Sequence, residues 1–185
     1  MNILVLGAGT FGTAIANELS VNRRNNVMLF SRNQSKVDEI NTNNTNKSYF
    51  PNKHLTKLLS ATSDKNEIKN SDVIFIALPS NVILESLMIF KSYFQENVLL
   101  VNLSKGLLPN GVTIIESIQK EIGFNNVVTL KGPSFAVEVI EHAETLLTLG
   151  YTTKQQYTMI TNIVKNTSLH IDYTTDIRGV EVLSV

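Results

Sequence analysis

Three of the nine glycines fall together in Gly7-Ala8-Gly9-Thr10-Phe11-Gly12, directly after the apolar stretch Ile3 to Leu6. At this spacing the first glycine permits a tight strand-to-helix turn. The second lets the backbone approach a pyrophosphate, and the third allows the helix to pack closely on the strand. A helix that starts there turns its positive end toward the phosphates. Gly7, Gly9 and Gly12 are therefore the first candidate binding residues, and the chemistry they suit is the holding of a dinucleotide.

A second position follows from the first. In such sites a carboxylate about 20 residues beyond the glycines usually binds the ribose 2′-hydroxyl of NAD. Here the stretch reads Leu29-Phe30-Ser31-Arg32, with no carboxylate. The planar, permanently charged Arg32 suits a 2′-phosphate instead, so NADPH is expected before NADH, which the site would also admit. Two further stretches place lysine, glycine and hydroxyl groups just past apolar runs: Asn102-Leu103-Ser104-Lys105-Gly106-Leu107 and Leu130-Lys131-Gly132-Pro133-Ser134-Phe135-Ala136. An ammonium at Lys105 can hold an anionic substrate or polarise a carbonyl oxygen, and Ser134 can donate at a helix start. Pro79 and Ser80 read equally as a turn with a helix cap and as a wall of the same crevice.

These residues need a scaffold that brings strand ends to one edge. Short apolar runs at Ile3–Leu6, Val27–Phe30, Val73–Ala77, Val98–Leu103, Val127–Leu130, Thr145–Leu149 and Leu169–Tyr173 predict strands. Helical periodicity predicts helices over Phe11–Ser20, Gln34–Asn41, Val82–Phe94, Thr113–Ile122, Phe135–His142 and Lys154–Val164. The alternation implies an α/β domain of Rossmann type, a doubly wound, mostly parallel sheet with helices on both faces. Ligands in such folds bind outside the carboxyl ends of the strands, where the candidate residues lie. The polar stretch Asn41 to Asn52 interrupts the alternation and predicts a long loop. No repeat or linker divides the chain.

Composition narrows the function classes. Sixteen basic residues balance sixteen acidic ones over 185 residues, which leaves no electrostatic footprint for nucleic acid. With no cysteine, thiolate chemistry and disulfides are excluded, so redox chemistry requires a bound cofactor. The longest apolar run, Val73 to Leu78, is far shorter than the roughly 20 residues of a membrane span. No export signal is visible, and a cytoplasmic location is expected. His54, His142 and His170 share no metal-ligand spacing and have no carboxylate partners at matching intervals. They read as solvated or packing residues, and no metal site is expected.

Beyond these readings, the chain resembles the N-terminal half of the NAD(P)-dependent glycerol-3-phosphate dehydrogenases, particularly the bacterial type. The resemblance rests on GAGTFGTAIA at residues 7–16, FSR at 30–32, NKSYFP at 46–51, ALPS at 77–80, SKGL at 104–107, KGPSFAVEV at 131–139 and DIRGVEV at 176–182. KGPSFA is the most specific of these. The resemblance implies that Thr10, Phe11, Arg32 and Tyr49 contact the cofactor, along with Gly7, Gly9 and Gly12. It gives Lys105 to cofactor and substrate together, Gly132 and Ser134 to the substrate, glycerol phosphate, and Ala136 to the cofactor. Phe11 stands where the family often has tryptophan. The implied reaction is hydride transfer between the nicotinamide and dihydroxyacetone phosphate, giving sn-glycerol 3-phosphate for phospholipid synthesis. The complete enzyme could be a homodimer.

The same resemblance sets a domain boundary: residues 1–175 as the NAD(P)-binding domain and 176–185 as the start of a helical substrate domain. Its proton-transfer lysine would fall two positions beyond Val185, so no catalytic residue is expected within the chain and NADPH binding without turnover is expected of it. Val180, Val182, Leu183 and Val185 would then present apolar surface. The alternative reading is a stand-alone module that binds or senses NAD(P)H without catalysis. Among enzymes, the runner-up is a hydroxyacid or 6-phosphogluconate type of dehydrogenase.

Overall fold

The computed structural model describes residues 1–108 and 111–183. In chain order the elements are β1 (Asn2–Leu6), α1 (Thr10–Leu19), β2 (Asn26–Phe30), α2 (Gln34–Asn43), β3 (Ser60–Thr62) and a 3-10 turn at Lys65–Asn70. After these come β4 (Val73–Ile76), α3 (Ile83–Phe90), β5 (Leu99–Asn102), α4 (Ile114–Ser117, running on as a π-helix over Ile118–Ile122) and β6 (Val127–Lys131). The chain continues through α5 (Ala136–Ile140), β7 (Thr145–Gly150), α6 (Lys154–Val164), β8 (Leu169–Thr174) and α7 (Ile177–Leu183). The eight strands form one sheet in the order β3-β2-β1-β4-β5-β6-β7-β8.

From β3 through β6 all neighbours are parallel. β6 and β7 pair antiparallel, and β7 and β8 are again parallel to each other. The α/β reading therefore holds, with a reversed two-strand extension on one side. That reversal is not visible in strand composition, because β7 is as apolar as its neighbours; the short α5 carries the chain round.

Why the strands read as unbroken apolar runs is plain from the two cores. Successive side chains of a strand point to opposite faces, so a strand covered on both sides needs apolar residues at every position. Ile3 and Val5 of β1 pack into one core with Ala14, Ile15 and Leu19 of α1, while Leu4 and Leu6 enter the other with Ile83 and Leu87 of α3.

The structure adjusts several boundaries. β3 was not expected: its three residues, Ser-Ala-Thr, carry no apolar run, and it pairs with β2 at the sheet edge. α2 extends to Asn43 and ends on Asn44 in the left-handed conformation. The loop that follows is pinned rather than free, since the fully buried Asn46 donates to Thr13 Oγ1 (2.9 Å) and Asn17 Oδ1 accepts from the Thr56 amide (2.7 Å). α3 begins at Ile83 with no side-chain cap, so Ser80 does not cap it. Ser134 likewise does not start α5; the flanking residue is Phe135, whose amide donates to Glu138 Oε2 at 3.3 Å. α7 packs back on the sheet, so Val180 is buried, while Val182 and Leu183 are exposed; Val185 lies outside the described residues.

Candidate nucleotide and substrate site

The glycine turn is built by close contact. Gly7 has φ +112°, and a Cβ there would sit 2.5 Å from the carbonyl oxygen of Ala77 at the end of β4. A Cβ on Gly12 would overlap the Gly7 carbonyl and meet Ala77 Cβ at 3.0 Å. Both residues must be glycine for β1, α1 and β4 to meet so tightly. Gly9 differs: it has an ordinary extended backbone at the start of α1, and nothing lies within 4 Å of where its Cβ would be. The backbone is thus left bare on its cavity side. No side chain caps α1 and no acid occupies its first turn, so its positive end is available to an anion.

From this turn a cavity of about 1210 Å³ runs along the carboxyl ends of the parallel strands. Gly7, Gly9, Thr10, Phe11, Arg32, Tyr49, Lys105, Ser134 and Ala136 all line it, as does Pro79. Gly12 does not; it acts through the packing of α1 on β1 and β4. Gly132 lines an adjoining chamber of about 520 Å³, which Lys105 also lines, together with Lys131, Thr148 and Asp176. Lys105 therefore stands between the two spaces, and Lys105 and Ser134 share one cavity despite their separation in sequence.

Electrostatics give the cavity its character. Arg32, Lys36, Lys65 and Lys105 line it, and among the described lining residues there is no Asp or Glu. In a chain with no net charge, four cations facing one space favour a polyanionic ligand. Lys36 and Lys65 were not singled out from the sequence. Lys36 lies in the first turn of α2, four residues after Arg32, close enough in sequence to be found with it; Lys65 lies on a 3-10 turn whose position needed the fold. Lys36 Nζ donates to the Ala8 carbonyl within the glycine turn at 3.3 Å. Beside the glycine turn, where the Phe30 carbonyl accepts from the Gly7 amide at 3.2 Å, Phe30 and Phe90 meet edge to face with centroids 5.3 Å apart and form an apolar wall.

The bare backbone at Gly9, the uncapped α1 and the cation set suit a phosphate-bearing dinucleotide. The turn Ser104–Gly106 is drawn against the Pro79–Asn81 turn, as Ser104 Oγ donates to the Leu78 carbonyl at 2.5 Å and Ser80 Oγ lies 3.5 Å from where a Gly106 Cβ would be.

The histidines stand apart from this site. Two of them meet carboxylates in space, at no regular sequence interval: His142 Nδ1 pairs with the buried Glu18, and His170 Nε2 with the exposed Glu144. Among the described residues no group of three or more His, Asp or Glu converges as a metal site. Nor is any described helix long and apolar enough to cross a membrane.

Comparison with known proteins agrees with this geometry. The family described as the NAD-dependent glycerol-3-phosphate dehydrogenase N-terminus matches residues 2–157. A curated glycerol-3-phosphate dehydrogenase (NAD(P)+) of Neorickettsia sennetsu is 34% identical over 184 residues, covering 99% of this chain and 55% of the relative. That of Orientia tsutsugamushi is 32% identical, covering 100% of this chain and 56% of the relative. The chain thus spans about half the length of the curated relatives it matches. The crystal structure of glycerol-3-phosphate dehydrogenase from Coxiella burnetii superposes with a TM-score of 0.87 at 26% identity, over 99% of this chain and 56% of that one. The Plasmodium falciparum structure reaches 0.89 at 21% identity, over 100% and 55%, a likeness of fold.

Proposed function

Because the chain belongs to the NAD-dependent glycerol-3-phosphate dehydrogenase family, in the part that family's N-terminal domain covers, we propose that it is the cofactor-binding half of an oxidoreductase. Its reaction would reduce dihydroxyacetone phosphate to sn-glycerol 3-phosphate, with NADPH preferred over NADH. In this reading residues 1–175 form the nucleotide-binding domain, with the boundary to the substrate half near Asp176. A cytoplasmic role in phospholipid synthesis, and assembly as a homodimer, belong to the same proposal.

The observation that carries it is the cavity, opening from a glycine turn, with four cations and no carboxylate among its described lining residues. When bound, the dihydronicotinamide supplies a hydride to a carbonyl carbon; the protein binds and orients. Gly7, Gly9 and the first turn of α1 hold the pyrophosphate, and Gly12 lets α1 pack closely enough on β1 and β4 to present that turn. Arg32 pairs with the 2′-phosphate, and Thr10, Phe11, Tyr49 and Ala136 contact the rest of the cofactor. The Lys105 ammonium, exposed between the two chambers, opposes negative charge on the substrate oxygen or phosphate. Gly132 and Ser134 bind the glycerol phosphate, Gly132 from the smaller chamber and Ser134 from the larger.

The test is a titration of the 185-residue chain with NADPH, read by the rise in its fluorescence, repeated in the presence of sn-glycerol 3-phosphate. Saturable binding that the phosphate ester alters is expected. A correctly folded chain that binds neither NADPH nor NADH would overturn the assignment.

A further inference from the structure

Beneath Lys105 lies a buried polar network that the nucleotide site does not use. Its centre is Glu181 of α7, 1% exposed. The carboxylate accepts from Asn102 Nδ2 of β5 at 2.9 Å, from Thr129 Oγ1 of β6, and from the amides of Ile114 and Ile115 at 3.1 and 3.3 Å, where α4 begins. Facing it at 3.3 Å is Lys131 Nζ, on a side chain only 2% exposed. Lys131 also donates to the carbonyl of Ser104.

Ser104 immediately precedes Lys105, and its polar groups are all engaged. Its carbonyl takes Lys131, its amide donates to Asn102 Oδ1 at 3.0 Å, and its hydroxyl donates to the Leu78 carbonyl. Two residues on, Gly106 turns the chain with φ +100°. Lys105 thus leaves the sheet from a residue clamped on three sides, and two of the clamps run through Asn102 and Lys131 to Glu181.

Stability alone does not account for the pair. Removing two charges from water costs about as much as their attraction returns, and an apolar pair of equal volume generally holds a fold as well. Burial pushes the Lys131 ammonium below its ordinary range; the Glu181 carboxylate opposes that shift, and the nearby Lys105 charge adds to it. The two lysines therefore feel each other, with Glu181 as the compensating charge.

We propose that Lys131 and Glu181 are positioning residues for Lys105: the pair fixes the Ser104 carbonyl, so that α7, through Glu181, sets where the Lys105 ammonium enters the two chambers. What Lys105 does there rests on the proposed function; that it is held by this pair does not.

The test compares the wild-type chain with the double variant Lys131→Met, Glu181→Gln, which removes both charges together. With lysines labelled at the ε-carbon, the Lys105 resonance, assigned by Lys105→Arg, is expected apart from the free-lysine position in wild type and shifted toward it in the double variant. The double variant should keep its fold with a lower thermal midpoint, since a glutamine amide offers one acceptor oxygen to donors that the carboxylate meets with two. NADPH binding should weaken by about tenfold to a hundredfold through misplacement of Lys105. A folded double variant with an unmoved Lys105 resonance would overturn the proposal. Should the double variant not fold, Lys131→Met alone, which removes the contact to the Ser104 carbonyl and leaves Glu181 its bonds from Asn102, Thr129, Ile114 and Ile115, serves in its place: a shifted Lys105 resonance supports the proposal and an unmoved one overturns it. Wild type that binds no NADPH would remove the proposed function while leaving the resonance test to decide this inference.

Discussion

Lys36 Nζ stands 4.2 Å from the centroid of the Tyr49 ring. The lysine is in the first turn of α2, where a cation works against the helix dipole, and the tyrosine is in the loop that α2 leads into. Both line the cavity, and the same ammonium donates to the Ala8 carbonyl of the glycine turn. A charge set against its own helix, and held there by a ring and a carbonyl, points to a ligand anion rather than to helix stability.

Lys36→Met keeps the length of the side chain and removes the charge. NADPH binding should weaken by about threefold to tenfold and NADH binding hardly at all, with stability changing by less than about 1 kcal/mol, the scale of an exposed cation–π contact. Parallel fluorescence titrations with the two cofactors check this. Equal losses would place Lys36 on the pyrophosphate rather than the 2′-phosphate.

Arg32 is exposed at the end of β2 and contributes its charge to the same end of the cavity. Arg32→Ala should cost NADPH about 1.5 to 3 kcal/mol of binding, the range for hydrogen bonds to a charged group. NADH should lose much less. A salt titration adds an independent check, because the wild-type preference for NADPH should shrink as ionic strength rises. A preference indifferent to both salt and the substitution would mean that Arg32 stacks on the adenine.

How much of this was legible in the sequence varies with how local the cause is. The helix that periodicity predicts over Lys154–Val164 forms at those bounds as α6: Ile160, Ile163 and Val164 supply one apolar face, and Thr153 with Gln156 forms a capping box at its start. Glycine turn, Arg32, Lys105 and Ser134 were legible because each sits just past a strand whose apolar run marks its end. β3 was not, having three residues and no run. The helix expected over Thr113–Ile122 is α-helical only to Ser117 before it widens to a π-helix, and no residue type announces that change. The Lys131–Glu181 pair joins the end of β6 to α7, and it depends on α7 folding back over β6 and β7. Local periodicity holds no record of such a return.

Glu116 offers a pH test. Its carboxylate accepts from the Thr113 amide at 3.0 Å, and that bond, aided by the Thr113 hydroxyl, holds its pKa below the ordinary 4.5. A carboxyl lowered in the folded state adds stability that is fully present above the unfolded value and is lost as pH falls through the folded one. Glu116→Gln keeps an acceptor for the amide and does not titrate. The wild type should therefore lead the variant by about 0.5 kcal/mol near neutrality, a figure kept small because the side chain is 42% exposed and screened by solvent. The lead should vanish in acid. Glu39, lowered by the Lys47 amide, is present in both proteins and cancels from the difference. Urea unfolding at a series of pH values measures it, and a gap that widens toward low pH would contradict the assigned bond.

Gly9 and Gly12 should separate binding from folding. At Gly9 the backbone is one that alanine adopts freely, and no atom lies within 4 Å of the added methyl group. Gly9→Ala should leave thermal stability nearly unchanged, yet it puts a carbon where the pyrophosphate must approach, so NADPH binding should fall by more than about tenfold, the cost of about 1.4 kcal/mol in lost contact. At Gly12 the methyl group would run into the Gly7 carbonyl and Ala77. Gly12→Ala should therefore destabilise the fold by about 1 to 3 kcal/mol, as overpacking does, and reduce binding as a consequence. Melting curves together with titrations distinguish the two. If Gly9→Ala binds NADPH as wild type does, the bare backbone at Gly9 is not where the pyrophosphate sits, and the anion site must lie further along the cavity toward Arg32 and Lys36.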